Sequence, residues 1–294
     1  MFYKPYFEKS DIRYRKSALP IACYRLQNTV ISDEYYTITP NWHNEMELLY
    51  SEAALTLYIN NQCYNVIPGD IFFINPRQIH RAFRKSHGEI YAVVFDLNLL
   101  KLPTENDPTN TLIDEIIRQK KQFCVKPEQN TELHSELLPV IRNITECSGR
   151  SLEAGAESYR ILSCLYSIMA ASCRVGFFEN IPANTLNSIQ HITTLIDYIN
   201  AHYADELTAE CLAKRINLSP TALYSLFRDY IGVTPVNYIN SVRIRESYRF
   251  LEQGMRVTET AVAVGLPNVS YFIKIFKDST GLTPLQWINR KKHK

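Results

Sequence analysis

Near the end of the chain, Leu207-Thr208-Ala209-Glu210-Cys211-Leu212-Ala213 is answered by Arg256-Val257-Thr258-Glu259-Thr260-Ala261. The echo continues through both stretches. Ala213 matches Ala261 and Leu218 matches Leu266, each 48 apart. After a one-residue shift Leu223, Phe227 and Arg228 match Phe272, Phe276 and Lys277, Gly232-Val233-Thr234-Pro235 matches Gly281-Leu282-Thr283-Pro284, and Ile239 matches Ile288, all 49 apart. Each copy predicts a short helix with a small residue, Ala213 or Ala261, where a second helix can cross closely. A tight turn follows, Ile216-Asn217-Leu218-Ser219 or Val264-Gly265-Leu266-Pro267. Asn and Gly tolerate the positive φ that a sharp helix-to-helix turn needs. A second helix then buries Leu223, Leu226 and Phe227, or Phe272, Ile275 and Phe276, and stops at Gly232 or Gly281.

Helix, Asn- or Gly-containing turn, helix is the helix-turn-helix grammar. A solenoid would need at least three such units, and there are two. A long helix from Val236 to about Gln253 joins them and fixes their separation, which matters because successive major-groove faces of DNA lie about 34 Å apart. Charge leans the same way. From Thr185 onward there are 13 Lys/Arg against 9 Asp/Glu, whereas the preceding residues carry 19 against 21. A mildly basic second part behind a near-neutral first part suits a polyanion, although charge alone also serves solubility.

The stretch Ala261-Val262-Ala263-Val264-Gly265-Leu266-Pro267-Asn268-Val269-Ser270-Tyr271-Phe272-Ile273-Lys274-Ile275-Phe276-Lys277, with Gly281-Leu282-Thr283-Pro284, resembles the signature of the AraC/XylS family of bacterial transcription regulators. Two positions depart from it: Leu266 stands where Phe is usual, and Thr260 where an aliphatic residue precedes the Ala. The resemblance implies a double-stranded DNA partner, a homodimer and contact with RNA polymerase. In such motifs the start of the second helix reaches base edges. Ser219, with Pro220 after it, predicts the start of that helix in the first copy, and Thr221, Tyr224, Ser225 and Arg228 then face outward. In the second copy Asn268, Val269, Ser270, Ile273, Lys274 and Lys277 do so. Asn268 could read adenine or cap the helix. Arg228 and Lys277 suit phosphate. With little bidentate Arg, phosphate contacts and DNA shape should dominate.

Residues from about 20 to 98 read differently. Short β-branched and aromatic runs, such as Leu55-Thr56-Leu57-Tyr58-Ile59, Ile71-Phe72-Phe73-Ile74 and Ile90-Tyr91-Ala92-Val93-Val94-Phe95, alternate with Asn60-Asn61, Pro68-Gly69-Asp70 and Asn75-Pro76. This predicts an antiparallel sandwich or barrel. Helical periodicity takes over from about 104 to 174, interrupted at Pro139, and lapses between Arg174 and Ser188. The expected fold class is α+β. It comprises a sensing and dimerisation domain over 1–175, a linker over 176–188 and an all-α DNA-binding domain over 189–294, with helix-turn-helix units at about 207–232 and 256–281.

Asn41-Trp42-His43-Asn44-Glu45-Met46-Glu47-Leu48, with Pro68-Gly69-Asp70 and Asn75-Pro76 through His80, is similar to the cupin-type sensor barrel of many AraC-family proteins. The resemblance implies a small-molecule effector in the barrel, a carbohydrate as the first expectation, lined by Trp42, His43, Glu47, Tyr50, Tyr58 and His80. Metal cupins use a His-x-His, Glu, His set; here Asn41 replaces the first His. That substitution favours His43 and His80 as hydrogen-bonding groups, so no metal or other cofactor is expected.

Length and composition bound the rest. The 294 residues suit two domains at ~100–200 residues each. With 46% hydrophobic and 21% charged residues and 9 Gly, the chain is neither disordered nor collagenous. Seven scattered Cys without a CxxC disfavour a disulfide scaffold or zinc cluster. No apolar run reaches the ~18 residues of a membrane span, and the first residues lack a secretory h-region, so a cytoplasmic protein is expected. Two alternatives to a non-enzymatic, effector-responsive regulator remain: a metal-dependent cupin enzyme with a helical appendage, and a DNA-binding protein that ignores ligands.

Overall fold

The structure, a computed structural model, describes residues 8–9, 20–26, 36–104, 107–147 and 155–292. Most of the N-terminal stretch read for a leader lies outside them. Two compact units emerge, one centred on residues 42–186 and the other running from residue 187 onward together with residues 34–41.

The strands are β1 (Glu8–Lys9), β2 (Ile21–Leu26), β3 (Tyr36–Trp42), β4 (Met46–Ser51), β5 (Leu55–Ile59), β6 (Gln62–Val66), β7 (Ile71–Ile74), β8 (His80–Arg84) and β9 (Ile90–Phe95). They form sheets rather than a closed barrel. In one, β5 lies between β8 and β6, with Ile59 opposite His80 and Tyr58 opposite Arg81. The other runs β2-β9-β4-β7, all antiparallel, with Glu47 opposite Ile74 and Val94. Strand alternation sets what each residue faces. Leu55, Leu57 and Ile59 are buried while Thr56 and Tyr58 are half-exposed.

On β4, Met46, Leu48 and Tyr50 join one apolar core. That core also takes Phe73 and Phe95 from the same sheet, Ile113 and Ile116 from α1 (Pro108–Ile117), Leu137 and Ile141 from α2 (Glu132–Cys147), and Leu165 and Ile168 from α3 (Gly155–Val175). Pro139 sits inside α2 without ending it. The 176–188 stretch holds regular structure: β11 (Phe178–Asn180) pairs with β10 (Lys121–Phe123), and α4 (Ala183–His202) begins directly after. Periodicity lapses there because helix gives way to strand at Gly176, whose φ is 64°, and Phe177 and Phe178 pack on Phe73 and Phe123.

The second unit is helical: the rest of α4, then α5 (Ala209–Arg215), α6 (Pro220–Tyr230), α7 (Pro235–Glu252), α8 (Val257–Ala263), α9 (Val269–Thr280) and α10 (Pro284–Lys292). Ala213 and Ala261 are buried at the helix crossings. Ile244, Leu251, Val264, Leu266, Phe272 and Phe276 form the core of the second repeat, with Trp287 stacked on Tyr248. Leu266 is buried in this core even though it is smaller than the Phe usual there. Thr260 is fully buried, and its Oγ1 has no hydrogen-bond partner among the described residues.

Candidate functional site

Each repeat is a helix pair closed by one left-handed residue. Asn217 has φ 53° between α5 and α6, and Gly265 has φ 76° between α8 and α9. A Cβ on Gly265 would lie 2.5 Å from the Ala204 carbonyl oxygen, so only glycine lets that backbone approach. Ser219 caps α6 by accepting from the Ala222 N–H at 3.2 Å, and Pro220 opens the helix. Asn268 caps α9 by accepting from the Tyr271 N–H at 3.0 Å, the second of the two roles its sequence position allowed. Both second helices bury one stripe and turn the other outward. Thr221, Tyr224 and Arg228 are exposed on α6, with Ser225 half-buried beside them. On α9 Ser270, Ile273, Lys274 and Lys277 are exposed, with Val269 half-buried.

The α6 face carries an internal acid. Ser225 Oγ donates to Asp229 Oδ2 at 3.2 Å, and Arg228 lies 3.9 Å from Asp229 Oδ1. Two arginines of α7 are engaged inward. Arg243 donates to the carbonyls of Tyr203 at 2.7 Å and Asp205 at 2.8 Å, and Arg245 to Asn200 at 3.1 Å. These structural contacts were not legible from the charge pattern, because they depend on where the chain leaving α4 passes.

In the first unit three of the expected effector residues come together. Glu47, on the face of β4 opposite Tyr50, takes His43 Nε2 at 3.0 Å and His80 Nε2 at 3.3 Å on one carboxylate oxygen. His43 lies just past the end of β3 and His80 opens β8, so the cluster ties one sheet to the other. The rings sit edge to face, 5.2 Å apart. All three side chains are buried. Burial alone would raise the Glu47 carboxyl, but the His80 charge and the hydrogen bonds from His43 and His80 outweigh it and hold it well below the usual carboxylate range. Burial likewise lowers His43, yet the Glu47 hydrogen bond and charge, with Glu45, raise it overall.

The loop carrying His80 is braced. Asn60 accepts from the Ile79 N–H at 3.0 Å, and Gln78 accepts from the Asn75 N–H at 2.8 Å. The Asn75 amide exchanges two hydrogen bonds with the Phe123 backbone, at 3.0 and 2.8 Å. The Asn75-Pro76 turn signalled the loop but not this bracing.

The other expected lining residues lie elsewhere. Tyr50 is in the helix-covered core, its hydroxyl accepting from Arg142 Nε at 3.3 Å. It is three residues from Glu47, an odd step along a strand, and so faces the other way. The space beside that core, among Met46, Leu48 and Phe73, is about 10 Å³, too small for a ligand. Tyr58 points away from Ile59 and packs under the Arg81 guanidinium, 4.2 Å from the ring centre, and against Phe83. Trp42 is buried at the end of β3, next to His43 in the chain.

Residues 212–290 match a family described as a helix-turn-helix domain. Over almost its whole length, the chain is 24% identical to the uncharacterized HTH-type transcriptional regulator YdeC of Bacillus subtilis (strain 168), an alignment of 292 residues covering 95% of each protein. The chain is similar to the AraC/XylS family of transcription regulators. Another relative is the HTH-type transcriptional activator RhaR of Enterobacter sp. (strain 638), 23% identical over 275 residues, or 90% of this chain and 93% of that one. Among solved structures, unsaturated fatty acid bound wild-type ToxT from Vibrio cholerae strain SCE256 aligns with 91% of this chain and 94% of its own, at 15% identity and a TM-score of 0.42. With its helix-turn-helix domain the chain is a DNA-binding transcription regulator. Among the described residues, no helix is long and apolar enough to cross a membrane.

Proposed function

We propose that this AraC/XylS regulator reads DNA through the exposed starts of α6 and α9 and answers to a small molecule held in its first unit. The repeated, capped helix pair with polar outer faces carries the reading. Thr221, Tyr224, Ser225, Val269, Ser270, Ile273 and Lys274 are placed to meet bases. Ser219 and Asn268 set the two helix starts, and Arg228 and Lys277 meet phosphate. The working parts are 1–175 for sensing and homodimer formation, 176–188 as the connection and 189–294 for DNA.

The effector acts by favouring one of two arrangements of these parts, through its different affinity for each. A carbohydrate is the first candidate, RNA polymerase the downstream partner, the cytoplasm the compartment, and no catalysis is involved. Selection of bound fragments from a random duplex pool, with and without sugars, tests this. Enrichment of a paired motif supports it, and a pool that stays random at low ionic strength defeats it.

A further inference from the structure

We propose that the hollow between the end of α7 and α10, inside the second unit, is a binding site for a small organic anion: a compact apolar body carrying one carboxylate. The hollow has a volume of about 440 Å³. That falls within the roughly 300–1,000 Å³ of small-molecule sites. Its walls follow from how the chain leaves α7. Leu251 lines it from the last turn of that helix, and Gly254 turns the chain with φ 83°. A Cβ on Gly254 would meet nothing within 4 Å, so the space beside the turn stays open. Met255 and Val257 carry the wall into α8, and Trp287 and Ile288 face it from α10. Trp287 is held in place, stacked on Tyr248 at 4.9 Å and meeting Phe276 edge to face. The wall is therefore set before any ligand arrives.

Two charged residues line the hollow, Glu252 and Arg256. Glu252 already has a partner within the protein. Arg256 is exposed and makes no ion pair among the described residues, so it sets the sign of the site. Its backbone is fixed at the start of α8, where its N–H donates to Glu259 Oε2 at 3.3 Å. The guanidinium offers a carboxylate two parallel N–H donors. Leu285 lines the same hollow and is 64% exposed, an apolar surface that the body of the ligand would cover. An ammonium would meet Arg256 with like charge. A nucleotide or sugar would press polar groups against Leu251 and Val257, which have no side-chain donor or acceptor to offer them. The walls come from α7, α8 and α10, so an occupant ties these helices together and stabilises the second helix pair. This site is additional to the effector site proposed for the first unit and does not depend on it.

Three probes with one apolar body and different charge test it: 4-phenylbutyrate, 4-phenylbutanol and 4-phenylbutylamine. Each is titrated into the full chain by calorimetry, and the thermal midpoint is followed by fluorescence. The acid should bind with a Kd of about 0.1 mM and raise the midpoint by about 3 °C near saturation. The alcohol and the amine should bind at least ~5-fold more weakly. Arg256→Gln and Leu285→Glu should each weaken the acid about fivefold or more, whereas Leu285→Lys should hold it as tightly as wild type or more so. The Glu and Lys variants remove the same leucine, so their difference reads charge and not a disturbed fold. Wild-type chain that binds none of the probes overturns the proposal. So does an alcohol that binds as tightly as the acid, or equal losses in Leu285→Glu and Leu285→Lys. Acid binding unchanged in both Arg256→Gln and Leu285→Glu overturns it too, since the ligand then sits elsewhere. A mobility-shift assay on the same samples tests DNA binding separately, so failure of this site and failure of the regulator reading give different results.

Discussion

The two helix-turn-helix units are built from one pattern but secured differently. The first turns on Asn217, exposed and in the left-handed region, whereas the second turns on Gly265, pressed against the Ala204 backbone. The first opens its outer helix with Ser219 and Pro220, the second with Asn268 alone. The α6 face shares its Arg228 with Asp229, while α9 presents Lys274 and Lys277. The difference teaches that the same sequence grammar can be held by a conformational preference in one copy and by a steric necessity in the other.

Gly265→Ala against Asn217→Ala is the widest test of that contrast. A side chain at 265 meets both the left-handed penalty and the Ala204 carbonyl, costing about 3 kcal/mol or more. Thermal unfolding should fall sharply and operator binding in a mobility shift should be lost. Asn217→Ala carries only the conformational penalty of about 1 kcal/mol. Equal losses at the two sites would erase the distinction.

Next in size are the caps. Ser219→Ala and Asn268→Ala should each cost about 1 kcal/mol by chemical denaturation. Asn268 should cost more, since no proline pre-sets α9.

Thr260→Val reverses the sign. It removes a buried hydroxyl without a partner and should stabilise the second unit by about 1 kcal/mol. A loss instead would mean that this oxygen is satisfied in solution.

Smallest in stability but visible in binding is Lys277→Ala. It should weaken operator affinity and lower the salt dependence by about one phosphate contact. Arg228→Ala should do less because Asp229 already shares its charge. Identical salt slopes for the two variants would place both faces on an equal footing.

The C-terminal unit was readable from sequence because its signals are local: a small residue, a turn residue, a cap and an apolar stripe within a few positions of one another. The strands Leu55–Ile59, Ile71–Ile74 and Ile90–Phe95 were readable for the same reason. Gln62–Val66 and His80–Arg84 were not, since QCYNV and HRAFR look like loop composition. Arg84 is nonetheless fully buried, its guanidinium meeting the Gly88 and Leu26 carbonyls, the latter 58 positions away in the chain. The grouping of His43 with Glu47 and His80 was anticipated, but the Glu45 and Gln78 carbonyls that meet the two Nδ1 atoms were not, since no side-chain pattern encodes where a backbone carbonyl points. Tyr50 could have been set aside by counting its odd separation from Glu47. Tyr58 could not, because its orientation depends on the β5–β8 register.

The 18 residues of α7 span about 27 Å, and Arg243 clamps that helix midway to the chain leaving α4. For the paired DNA reading proposed above, a joint so stiff imposes a phase on the genome. Promoters whose paired boxes are shifted by half a helical turn present one box on the far side of the duplex. There the protein must twist the DNA or let one box go, so spacer length between boxes, more than their letters, sets which promoters it can occupy with both hands.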